Sequence, residues 1–115
     1  MSESERSEPY RRELEAQILE AARSLVAGSI SVTEASRRIA GLARELGLGL
    51  EEPFLTFVGI DSETDGFPLG QVRALWNPSA LSQLDAERLE YESLLRGVAL
   101  ESAVAVVSRY GPPSS

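Results

Sequence analysis

The sequence predicts one mostly α-helical domain: a helical hairpin packed on a long C-terminal helix, with an irregular middle segment. Three observations carry this expectation. Apolar residues recur at three- and four-residue steps over Leu14–Leu25, a capping signal stands at Ser31–Glu34 before a second such stripe, and Asn77-Pro78 opens a long helical stretch. At 115 residues with 43% apolar content, the chain is long enough for one domain with one ordinary core.

The first seven residues are charged and serine-rich, and are expected to form a disordered tail. Helical pattern starts at Glu8, so the domain is expected to span residues 8–110. Leu14, Ile18, Ala21, Ala22 and Leu25 share one face, and Gly28 is the natural stop. In the second helix, Ser31 and Glu34 fit a capping box and Ile30 sits where a hydrophobic staple belongs. Ala35, Ile39, Leu42, Ala43 and Leu46 form its buried stripe, and Gly47 ends it. The short connection makes these two helices an antiparallel hairpin.

From Leu48 to Trp76 no period dominates. Glu51-Glu52-Pro53 resembles a turn, and residues 54–60 are apolar enough for either a short buried strand or a helix. Gly59, Gly66, Pro68 and Gly70 favour irregular backbone, after which Val72, Leu75 and Trp76 are expected to rejoin the core. In the last third, Asn77 is the cap and Pro78 the first helical residue. Leu84, Leu89, Leu94, Leu95, Val98, Ala99, Ala103 and Val106 supply apolar positions, and Tyr110-Gly111-Pro112-Pro113 ends the helix before a flexible tail at 111–115.

Composition excludes several kinds of chemistry. The chain has no Cys and no His, and all 11 of its basic residues are Arg. Thiolate nucleophiles and metal sites, histidine general bases, Schiff bases and the P-loop lysine are therefore absent. Net charge is −7, which repels phosphate backbones and favours a basic protein partner over nucleic acid. No apolar run approaches the about 20 residues needed to span a bilayer, and the polar start does not read as a leader. A cytoplasmic location is expected.

The richest local feature is Ile60-Asp61-Ser62-Glu63-Thr64-Asp65-Gly66, which sets three carboxylates at alternate positions. Two of the three aspartates in the chain lie here, the other being Asp85. The run matches the first half of a calcium-binding loop, but Val72 falls where the bidentate glutamate belongs and Pro68 interrupts the exit. An EF-hand is excluded. Three readings remain for Asp61, Glu63 and Asp65: ion pairs with Arg73 or the Arg37-Arg38 pair, contacts to a partner, or ligands of a divalent cation. Arg73, flanked by apolar residues, is expected to be held by a carboxylate and to organise the loop. Trp76 reads as core rather than as a stacking platform, and Tyr91 as partly buried with its hydroxyl at the surface. The run Glu87, Arg88, Glu90, Glu92 reads as a solvated face. A carboxylate pair could serve glycoside hydrolysis, but a small helical domain leaves little room for a sugar cleft.

These residues, in this order, resemble a group of small, uncharacterised bacterial proteins. The shared signature is DSETD…P-x-G…R…W, carried here by Asp61–Asp65, Pro68-Leu69-Gly70, Arg73 and Trp76. The likeness extends over about residues 14–109, and no established activity attaches to it. By size and acidity, though not by motif, the chain also resembles immunity proteins encoded beside secreted toxins.

The functional expectation is a non-catalytic acidic interaction domain, of immunity type, that docks on a basic partner. Asp61, Glu63 and Asp65 would make the contacts, with Arg73 and Trp76 in support, and no cofactor is required. The alternative is a small Mg²⁺- or Mn²⁺-dependent hydrolase using the same three carboxylates, completed by Glu34, Glu45 or Glu101. A homodimer is left open.

Overall fold

The computed structural model describes residues 3–112, with side chains from residue 8 onward. It contains α1 (Glu3–Ala27), α2 (Val32–Glu45), α3 (Phe54–Glu63), a short 3₁₀ helix (Gly70–Leu75) and α4 (Pro78–Tyr110). No strand occurs among the described residues, so the apolar run at residues 54–60 is helical. Helix α1 begins at Glu3, ahead of the expected Glu8, and Pro9 lies inside it. Of the expected tails, residues 1–2 and 113–115 lie outside the described residues.

The hairpin is closed by two similar stops. After α1, Gly28 adopts φ +78, the Gly28 N–H donates to Leu25 O at 3.0 Å and the Ser29 N–H to Ser24 O at 2.9 Å. After α2, Gly47 adopts φ +74, with Gly47 N–H to Arg44 O at 3.0 Å and Leu48 N–H to Ala43 O at 2.8 Å. Both satisfy the last helix carbonyls with a left-handed residue that only glycine takes without strain. At the start of α2, Ser31 Oγ accepts the Glu34 N–H at 3.1 Å, which is the expected cap. The Glu34 carboxylate does not return the bond and instead pairs with Arg38 at 3.3 Å.

The core runs through all four α-helices. Leu14, Ile18, Ala21, Ala22 and Leu25 of α1 join Val32, Ala35, Ile39 and Ala43 of α2. Phe54, Phe57 and Ile60 of α3 and Ala99, Ala103 and Val106 of α4 complete it. Helix α2 lies centrally, against α1, α3 and α4.

The expected return of Val72, Leu75 and Trp76 to the core is not found. Val72, Leu75 and Trp76 are exposed, as are Leu89, Leu94 and Val98. Geometry explains it. Helix α4 has 33 residues, about 50 Å at 1.5 Å per residue, and only its second half carries the buried apolar ladder. The molecule extends 55 × 32 × 23 Å with a radius of gyration of 15.7 Å, against about 13 Å for a compact domain of this size. The first half of α4 therefore runs along the surface, where there is not enough chain to cover both its sides.

Candidate interaction surface

The acidic motif straddles the end of α3. Phe54, Phe57 and Ile60 turn inward at three-residue steps, so Asp61 lies at the rim of the buried face and Glu63 on a different side. Asp61 and Glu63 are about 200° apart on the last turn of the helix and Asp65 falls beyond its end, so the three do not share a helix face. Each meets a different environment.

Asp61 accepts from Arg44 Nη1 at 3.1 Å and lies 3.9 Å from Arg37 Nε. Arg37 also donates to Thr64 O at 2.6 Å and to Phe67 O at 2.5 Å, so this one guanidinium caps the C-terminal end of α3. Thr64, fully buried, closes the turn by donating its hydroxyl to Ile60 O at 2.7 Å. Glu63 accepts a hydrogen bond from the Tyr91 hydroxyl of α4. Burial, and then that bond, push the Tyr91 phenol from its ordinary 10.0 to about 12. Asp65 is exposed.

Arg73 does organise the segment, but its carboxylate is Asp85 rather than one of the motif. Nη1 and Nη2 donate to the two Asp85 oxygens at 2.8 and 2.7 Å, and Nη1 also reaches Pro68 O at 3.3 Å. The bidentate hydrogen bond holds the Asp85 carboxyl below its usual range and raises the guanidinium. The 3₁₀ helix is thus tied to α4 by a polar clamp and buries no side chain of its own. Trp76, expected in the core, is 40% exposed and Leu75 is 85% exposed.

The expected solvated run on α4 also divides. Glu87 and Glu90 are exposed, but Glu92 is only 4% exposed. Its Oε2 accepts the Thr33 N–H at 2.9 Å and the Thr33 hydroxyl at 2.5 Å, and Arg88 stands 3.3 Å away. Glu92 therefore caps α2 from another helix, adding a buried anion at the positive end of the α2 dipole. Arg88 passes the chain of charges on to Asp85 at 3.9 Å, and so to Arg73. Sequence reading missed Arg44, Arg88 and Glu92 as structural groups. A signal for Glu92 was present, since stepping back from Val106 through Ala103, Ala99 and Leu95 lands on it.

No family model, no curated protein and no solved structure matches this chain.

The expected completers of a cation site are dispersed. Glu34 is with Arg38, Glu45 accepts from Tyr10 of α1, and Glu101 is exposed on α4. Among the described residues, no three His, Cys, Asp or Glu side chains come together as a metal-binding group. Nor, among the same residues, is any helix long and apolar enough to cross a membrane. What the arrangement offers is a segment, residues 65–76, tied to α4 through Arg73, on which Val72, Leu75 and Trp76 are exposed, as are Asp65 and the preceding Glu63.

Proposed function

We propose that this chain is a non-catalytic, acidic protein-interaction domain that docks on a basic partner through the edge at residues 65–76. Trp76 and Leu75 are its apolar anchors, and Glu63 and Asp65 form its negative rim. Asp61 and Arg73 act one step back: they brace the edge through Arg44, Arg37 and Asp85 rather than touching the partner. A more specific form of the reading, supported by size and the net charge of −7, is an immunity-type inhibitor that covers a cationic cleft.

One observation carries the proposal. Val72, Leu75 and Trp76 are exposed, yet Arg73 among them is fixed by a bidentate pair to Asp85. Apolar side chains left outside the core on a segment tied to a helix present a binding surface with less left to order on association. Tryptophan is among the side chains most enriched at the energetic centre of interfaces. The acidic rim steers a basic surface toward it.

Capture of a basic protein by the immobilised chain tests this. Trp76→Ala with Leu75→Ser should weaken that capture by about 30-fold, equivalent to about 2 kcal/mol, with the helical circular dichroism unchanged. Asp65→Arg with Glu63→Arg should reduce the association rate and its salt dependence. Capture that is indifferent to all four changes would overturn the proposal.

A further inference from the structure

We propose that the outer face of α4 from Leu94 to Ala105 is a docking groove for a basic amphipathic helix of a partner protein. The proposal rests on the interaction-domain reading, but it uses residues outside the 65–76 edge.

Three observations converge on this face. First, the second half of α4 carries apolar side chains beyond the stripe that faces the core. Ala99, Ala103 and Val106 point into the core, while Leu94 (80% exposed), Val98 and Val104 lie exposed on other sides. Apolar side chains left exposed together beside a packed stripe offer a partner a surface to cover.

Second, Gly97 sits mid-helix with no steric reason inside this molecule. Its φ is not positive, and a Cβ there would meet no atom within 4 Å. A glycine in a helix interior costs about 0.5–1 kcal/mol relative to alanine. Its bare backbone forms part of a shallow groove of about 530 Å³, lined also by Leu100, Glu101, Val104 and Ala105. Small residues at such positions let a second helix axis approach to the close end of the usual 8–10 Å.

Third, the charge on this face has one sign. Glu87, Glu90 and Glu101 follow the same three- and four-residue ladder as Leu94, Gly97, Val104 and Ala105, and all three are exposed. No arginine lies on that ladder. A second copy of the chain would set these acids against one another and add a net −7 to a net −7. A helix with apolar anchors at i, i+3 or i+4, and i+7, flanked by Arg or Lys, complements both the groove and its charge.

The test uses the full chain and a fluorescein-labelled probe peptide of about 20 residues, with leucines at those steps and arginines on the flanks. A control peptide carries glutamates in place of the arginines. Fluorescence anisotropy should show saturable binding of the basic peptide only. Gly97→Leu, which fills the groove and favours the helix, should weaken binding by about tenfold or more, as should Glu101→Arg. Trp76→Ala should leave it unchanged. Binding that survives Gly97→Leu, or no saturable binding of the basic peptide, would overturn the groove. So would sedimentation showing a dimer that Gly97→Leu dissociates, because the occupant would then be a second copy. Capture that requires Trp76 and Leu75 but ignores Gly97 would sink the groove alone and leave the edge at residues 65–76 standing.

Discussion

Replacing Glu92 by Gln is expected to destabilise the domain by about 3–5 kcal/mol, the usual cost of breaking a buried ion pair from one side. The carboxylate has three partners at once: the Thr33 N–H, the Thr33 hydroxyl and the Arg88 guanidinium. Glutamine keeps the shape but removes the charge. Arg88, its side chain only 16% exposed, would then lose its closest carboxylate, and the α2 N-terminus its buried anion. Urea unfolding followed by circular dichroism checks it, and the midpoint should fall with the m-value unchanged. Thr33→Val should cost less, about 1–3 kcal/mol, because it removes only the hydroxyl partner. The double variant should fall short of the sum, since both changes cut the same network. A Glu92→Gln change below about 1 kcal/mol would return Glu92 to a solvated face.

The second large effect belongs to α3. Phe57→Ala should cost about 3–5 kcal/mol, the range for truncating an aromatic ring in a packed core. Phe57 is fully buried, whereas Leu55 on the same helix is 40% exposed. Leu55→Ala should therefore cost well under half as much, despite deleting a comparable apolar side chain. The contrast reads out which face of α3 turns inward. Equal losses at both sites would mean that α3 is packed differently, and Asp61 and Glu63 would then have to point elsewhere.

The hairpin was legible because its signals are local. Gly28 and Gly47 stop their helices within one turn, and the Ser31 cap needs only Glu34 to complete it. Helix α3 was ambiguous because Leu55 and Val58 are apolar beside Phe54, Phe57 and Ile60, so the inward three-residue step was hidden in a uniformly apolar run. The spacing of Asp61, Glu63 and Asp65 was plain, but its meaning depended on that choice. On a strand all three would share a face, while here Asp61 and Glu63 lie on different sides of the last helical turn and Asp65 falls beyond it.

The 3₁₀ segment was misplaced for a different reason. Val72, Leu75 and Trp76 look like core residues, yet the segment is held by the pairing of Arg73 with Asp85, 12 residues away. No periodic pattern encodes such a clamp. Glu92 was misplaced because its neighbours Glu87, Arg88 and Glu90 set the local impression. Its burial follows instead from the ladder of small apolar residues further along α4.

On this account the acidic motif braces and presents an interaction edge, and does not assemble a catalytic cation site. Thermal unfolding in EDTA, and then with Mg²⁺, Mn²⁺ and Ca²⁺ in turn, separates the two. An ion that binds only the folded chain at a hundred times its Kd would add about 2.7 kcal/mol and move the midpoint by several degrees. No such movement is expected with any of the three ions, because Asp61 is engaged by Arg44 and Arg37 and Glu63 by Tyr91. A shift of several degrees that disappears in Asp61→Asn with Asp65→Asn would contradict it and make the metal-dependent hydrolase the better account.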